Sequence, residues 1–178
     1  AFGLLGLVIA GYAKRIHEER ALARAYAETL ERLSRRDSLT GLYNHRTIHE
    51  HAERRLNQRE ITCLLICDLD HFKQVNDIWG HQVGDSAIEA FGALVLRTVR
   101  DADICGRVGG EEFCILVWNA DTKIAQSLAE RLRIGITAVN VNGMNDSTHL
   151  TASFGTASLR PDEPYRKVFA RADKALYR

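Results

Sequence analysis

Gly109-Gly110-Glu111-Glu112-Phe113 places two glycines and two carboxylates between the apolar runs Asp103 to Val108 and Cys114 to Trp118. This order predicts a tight hairpin whose glycines admit positive φ and, lacking Cβ atoms, let a polyanion approach the backbone closely. Carboxylates are hard oxygen ligands, and Mg²⁺ is usually held through one or two of them together with phosphate oxygens. The chemistry predicted at this turn is therefore metal-assisted work on a phosphorylated substrate.

Five residues alone would equally describe a plain hairpin with two exposed glutamates, so the elements around them decide the matter. Ile61 to Cys67 is a short, strongly apolar run and predicts a buried strand leading into Asp68-Leu69-Asp70-His71-Phe72-Lys73, a second acidic pair at a strand end. Gln74 to Trp79 reads as a short polar connection. Gly80-His81-Gln82-Val83-Gly84-Asp85 has the glycines of a turn ahead of a new helical pattern. Upstream lies Asp37-Ser38-Leu39-Thr40-Gly41-Leu42-Tyr43-Asn44-His45-Arg46.

These motifs, in this order, resemble a GGDEF-domain diguanylate cyclase in the GGEEF form of its signature, over roughly Asp37 to Arg178. The resemblance implies condensation of two GTP into cyclic di-GMP with release of two pyrophosphates. It implies that Asp68, Glu111 and the Leu69 carbonyl hold Mg²⁺ or Mn²⁺, and that Lys73 and the backbone near Phe72 meet the phosphates beside Gly109 and Gly110. Glu112 would assist either the metal or the attacking hydroxyl, or serve as a structural hydrogen-bonding group. Asn76 and Asp85 match the pair that reads guanine, an amide that both donates and accepts and a carboxylate that accepts from N1 and N2.

Arg100 and Asp103 match the family's RxxD inhibitory site, with Arg131 as a candidate second arm. Arginine pairs bidentately with guanine O6 and N7, so the product would be read there. A catalytically weak GGDEF module acting as a GTP or cyclic di-GMP receptor is the alternative function, and another nucleotidyl transferase ranks behind it. A kinase or NTPase is disfavoured, because neither GxxxxGK[ST] nor GxGxxG occurs. Beyond the Ala172-Asp173-Lys174-Ala175-Leu176-Tyr177 helix the family continues into a basic Gly-Arg-Asn segment that is not in this sequence.

The predicted fold class is α+β, a central mostly antiparallel sheet flanked by helices, similar to the ferredoxin-like palm of nucleotidyl cyclases and preceded by a long N-terminal helix. Helices are expected near Arg46 to Gln58, Gly84 to Arg100, Thr122 to Ile136 and Pro164 to Arg178. Strands are expected near Ile61 to Asp68, Asp103 to Val108, Glu112 to Trp118, Thr137 to Asn142 and Thr148 to Leu159, the last two joined by a hairpin at Asn142-Gly143.

The 178 residues carry a formal charge of +1, too little for a nonspecific nucleic-acid field. Cys63, Cys67, Cys105 and Cys114 form no CxxC pair and lie in apolar patterns, which predicts reduced, buried thiols and a cytosolic compartment. Three segments are expected. Residues 1–13 are apolar but shorter than the ~20 residues that cross a bilayer, and read as the remnant of a transmembrane helix with Lys14, Arg15 and Arg20 on its cytoplasmic side. Residues 14–36 read as a signalling helix with an imperfect heptad seam of Ile16, Glu19, Ala23, Tyr26, Leu30 and Leu33, favouring a homodimer. Residues 37–178 form the catalytic domain. The expected setting is a bacterial cytoplasm, tethered to the inner membrane beneath an upstream sensory domain.

Overall fold

The computed structural model describes residues 12, 14–24, 26, 27, 30, 35–57, 62–145, 147–160 and 162–176, with 56 and 57 described in backbone only. The chain divides into two compact units, Ala1–Arg35 and Arg36–Arg178. In the first, every described residue from 12 to 30 is helical. The i,i+4 ion pairs Lys14–Glu18 (3.9 Å) and Arg15–Glu19 (3.1 Å) lie along this helix. Leu22, Tyr26 and Leu30 recur every fourth residue and are exposed. Apart from Tyr12, the predicted apolar segment 1–13 lies outside the described residues, as does Leu33 of the predicted seam. Among the described residues no helix is long and apolar enough to cross a membrane.

The second unit runs β1 (Tyr43–Asn44), α1 (His45–Asn57), β2 (Thr62–Leu69), α2 (Phe72–Trp79), α3 (His81–Thr98), β3 (Ile104–Arg107), β4 (Glu112–Trp118), α4 (Thr122–Thr137), β5 (Ala152–Ser158) and α5 (Tyr165–Leu176). The sheet order is β1-β3-β4-β2-β5, and every pairing except β1 with β3 is antiparallel. From β2 to β5 this is the βαββαβ path of a ferredoxin-like unit.

The continuous apolar character of β2 follows from its place in the middle of the sheet, with helices on both faces. Cys63, Leu65 and Cys67 point to one side, where they join Ala87, Ile88 and Phe91 of α3 and Leu128, Leu132 and Ile136 of α4. Leu64 and Ile66 point to the other, against Ile48 and Ala52 of α1 and Tyr165, Val168 and Ala172 of α5. Phe91 meets Phe113 of β4 edge-on, centroids 4.8 Å apart, which anchors α3 over the strand pair that carries the acidic residues. All four cysteines are free and buried, and burial pushes the Cys114 thiol up to about 12.

Two expectations are corrected. Gln74 to Trp79 is not a polar connection but most of α2, whose Phe72 is buried in the core, and α3 starts at His81 rather than near Gly84. Gly80, at φ 83°, makes the sharp break between the two helices. The predicted strand Thr137 to Asn142 and its hairpin do not form. α4 runs through Thr137, and the described residues from 138 to 150 form no strand, with the buried side chains of Val141 and Leu150 pinning them. Gly143 does take positive φ, at 90°, but β5 pairs directly with β2, so the turn joins no strands.

Candidate active site

The two central strands bring the acidic motifs together. In the β2–β4 register Asp68 stands opposite Glu112, and the Leu69 N–H donates to the Glu111 carbonyl (3.3 Å), which draws the turn residue over the end of β2. Asp68, Leu69, Glu111 and Glu112, predicted from two separate motifs, thus share one end of the sheet. Burial, and then the charges of Glu111, Glu112, Asp70 and Asp173, raise the Asp68 carboxyl to about 6. An acid held that high by burial and by neighbouring carboxylates marks a place where a cation would be stabilised.

Asp70 has a different duty. Its carboxylate accepts from the Ser153 hydroxyl (2.7 Å) and its N–H donates to the Thr151 carbonyl (2.9 Å), fastening the strand end to β5. Asp173, on α5, was not predicted as part of this acidic group. The signal for it was faint, a single acid in an amphipathic helix whose approach to Asp68 depends on the packing of α5 across the sheet.

The signature turn is held from behind. Arg107, the last residue of β3, donates through Nε to the Gly109 and Gly110 carbonyls (both 3.1 Å) and through Nη2 to the Gly110 carbonyl (2.7 Å). Its Nη1 reaches both carboxylate oxygens of Asp37, at 3.4 and 3.3 Å. Asp37 in turn accepts from the Thr40 N–H (2.9 Å) and hydroxyl (2.7 Å). Burial pushes the Asp37 carboxyl up, but the Thr40 hydrogen bonds and the Arg107 charge outweigh it and hold the group below its ordinary value. Sequence reasoning missed Arg107. An arginine closing an otherwise apolar strand directly before Val108-Gly109 was the available clue.

The expectation of positive φ at the signature glycines is also corrected, since neither Gly109 nor Gly110 is among the positive-φ residues. Hydrogen bonds from the Val108 and Gly109 N–H groups to the Glu112 carbonyl close the turn without it. What Gly109 supplies is room: a Cβ there would overlap the Glu112 carboxylate.

Beyond β2 the chain passes through His71, at φ 57°, into α2, whose start no side chain caps. Its leading N–H groups at Phe72 and Lys73 therefore offer an anion site. The Phe72 ring is buried, so that residue can serve a ligand only through its backbone. Lys73 is exposed and paired with Asp77 (2.7 Å), one turn along the same helix. Asn76 lies further along α2 and packs against Gly84 of α3, directly before Asp85, so the two predicted base readers flank one helix–helix corner.

The predicted inhibitory residues gather at the corner after α3. The Asp103 carboxylate accepts from the Arg100 N–H (3.0 Å) and the Trp118 N–H (2.9 Å), while the Arg100 side chain is exposed. Arg131 of α4 donates to the Thr98 carbonyl (2.9 Å) and so reaches the same corner.

Among the described residues no three His, Cys, Asp or Glu side chains gather as a self-sufficient metal cage. That agrees with the donor set, since Mg²⁺ characteristically completes its octahedron with water and substrate phosphate. Two carboxylates and a carbonyl at one sheet end fit such an ion.

Residues 34–178 match the family described as Diguanylate cyclase, GGDEF domain. The chain belongs to this family. It is similar to the diguanylate cyclase DgcP of Pseudomonas aeruginosa, 35% identical over 146 residues that make up 80% of this chain and 22% of DgcP. It is similar also to DgcM of Escherichia coli K12, 34% identical over 155 residues, 85% of this chain and 37% of DgcM. The chain thus spans well under half the length of these curated relatives. Among solved structures, the diguanylate cyclase SiaD of Pseudomonas aeruginosa, in complex with its activator SiaC, matches with TM-score 0.75 and 32% identity, covering 97% of this chain and 71% of SiaD. The coiled coil and GGDEF domain of DgcB from Caulobacter crescentus, in complex with c-di-GMP, matches with TM-score 0.74 and 28% identity, covering 92% and 91%.

Proposed function

We propose that this GGDEF chain joins two GTP molecules into cyclic di-GMP. The observation that carries the reading is the convergence of Asp68, Glu111 and Glu112 at one sheet end, beside the uncapped start of α2. In each half-reaction the 3′-oxygen of one GTP forms a bond to the α-phosphorus of the other. The bond from that phosphorus to the bridging oxygen breaks, pyrophosphate leaves, and the hydroxyl proton passes to solvent. Two such steps close the ring.

Asp68, Glu111 and the Leu69 carbonyl would hold Mg²⁺ or Mn²⁺, which when bound neutralises charge on the triphosphate and the leaving oxygen. The α2 N–H groups and Lys73, released from Asp77, take the outer phosphates. Asn76 and Asp85 read guanine. Each domain holds one GTP, so two must face each other to react, and the exposed Ala23, Tyr26 and Leu30 of the expected heptad seam support a helical pairing that brings them together. Arg100 and Asp103, with Arg131 beside them, form the site through which the product inhibits. The compartment is the cytoplasm, where GTP is available.

Incubating the purified chain with GTP and Mg²⁺ and separating the nucleotides should yield cyclic di-GMP and two equivalents of pyrophosphate. The Glu111→Ala variant should lose activity by about a hundredfold or more, the scale of removing one strong electrostatic contact. GTP that binds and is recovered unchanged would instead point to a nucleotide receptor.

A further inference from the structure

We infer that Gly84 is a specificity-determining residue, which sets the base preference of the site by leaving room for the Asn76 carboxamide. The inference rests on the reading of Asn76 as a guanine contact. Glycine in the first turns of an 18-residue helix is a poor choice for helix stability, and Gly84 is buried with no positive φ that would call for it. Its surroundings supply the reason. A Cβ on Gly84 would overlap Asn76 Oδ1 and lie 3.0 Å from Asn76 Cγ and 3.3 Å from Phe72 Cζ. The Asn76 backbone cannot retreat, because its carbonyl accepts from the Gly80 N–H (2.9 Å) that ends α2. The carboxamide can turn, because it is the far end of a flexible side chain. Among the described residues it has no hydrogen-bond partner, so its donors and acceptor remain open to a ligand.

A methyl group at position 84 would therefore leave the α2–α3 corner folded and swing the amide off the base. The exposed Asp85 carboxylate, one residue further on, would stay where it is. Gly84 acts through Asn76, and its effect should vanish when that side chain is absent.

The test is calorimetric titration of the chain with GTP and separately with ATP, using Ca²⁺ in place of Mg²⁺ to suppress turnover. The wild type, Gly84→Ala, Asn76→Ala and the double variant are compared, and thermal melting reports the fold. The expected result is that Gly84→Ala melts no lower than wild type but loses GTP affinity and GTP-over-ATP preference about tenfold, the worth of one hydrogen bond. Asn76→Ala should lose as much, and the double variant no more than Asn76→Ala. If Asn76→Ala keeps the wild-type preference, the guanine reading of Asn76 fails, and the inference with it. If Asn76→Ala loses the preference and Gly84→Ala keeps it, the inference alone is overturned. An added loss from Gly84→Ala in the Asn76→Ala background also overturns it. Should Gly84→Ala unfold, the double variant should recover most of the lost stability, since the larger obstruction at Asn76 is gone and only the 3.3 Å approach to Phe72 Cζ is left, and a double variant that stays unfolded counts against the inference.

Discussion

Replacing Asp68 by asparagine should make the metal-free protein more stable while abolishing its chemistry. The carboxyl stands at about 6 instead of 3.8 because burial and four neighbouring carboxylates oppose its ionisation. A rise of that size corresponds to about 3 kcal/mol at neutral pH. Asp68 is only part buried, so solvent screening reduces this to roughly 1 kcal/mol, or about 3 °C in Tm for a domain of this size. The sign fixes the pH dependence. Between 3.8 and about 6 the folded protein binds more protons than the unfolded chain, so its stability falls as pH rises across that window. The asparagine variant lacks this penalty. The gap between the two proteins, measured by urea denaturation in EDTA, should be near zero at the acid end of the window and full above it. Adding Mg²⁺ with GTP should raise the wild-type Tm more than that of the variant, because ligand that binds only the folded state stabilises it by mass action. An Asp68→Asn protein less stable than wild type in EDTA at neutral pH, or a gap that ignores pH, would refute the electrostatic reading of this sheet end.

Arg107→Ala should cost about 2 kcal/mol in urea denaturation, because a charged donor shared by two carbonyls and a carboxylate is lost, and should lower kcat more than it raises KM; an unchanged kcat would detach the clamp from catalysis. Asp37→Asn should destabilise the protein at neutral pH, with the difference shrinking as pH falls through the depressed pKa of Asp37, a window that denaturation at pH steps below 4 can follow. Arg100→Ala should relieve product inhibition in progress curves while leaving the initial rate within about twofold, since an exposed arginine away from the acidic cluster contributes little to the fold. Exchanging residues 1–35 for an unrelated parallel dimeric coiled coil should preserve turnover, whereas a version without either should lose rate per chain on dilution; full activity in a dilute monomer would refute face-to-face assembly.

The strands that carry the acids were legible because their environment is uniform. β2 and β4 are covered on both faces, so they read as unbroken apolar runs, and an acid at the end of such a run can only be at a sheet edge or a site. The helices that cover them, α3 and α4 on one face and α1 and α5 on the other, form close to their expected ranges. What could not be read was anything set by partners distant in sequence. α2 looks polar because it buries chiefly Phe72 and exposes Lys73, Gln74, Asp77 and Ile78. The segment after α4 carried a good turn dipeptide, yet a turn makes a hairpin only when both arms find ladder partners, and among the described residues the returning arm, β5, pairs with β2 instead.

Arg107 was illegible in the sequence for the same physical cause, although it touches the signature itself. Its contacts go to backbone carbonyls at Gly109 and Gly110, which any residue type presents, and to Asp37, seventy positions away. The bridge from Arg36 to Tyr43 and the parallel pairing of β1 with β3 bring the Asp37 loop and the end of β3 to the same corner. The acids are thereby fixed from two directions. Asp68 is held by the register of β2 with β4, and Glu111 by a turn whose outer carbonyls are tied to the segment immediately following the N-terminal unit. Loss of the Asp37–Arg107 pair would therefore loosen the signature turn from behind while leaving the buried sheet core in place.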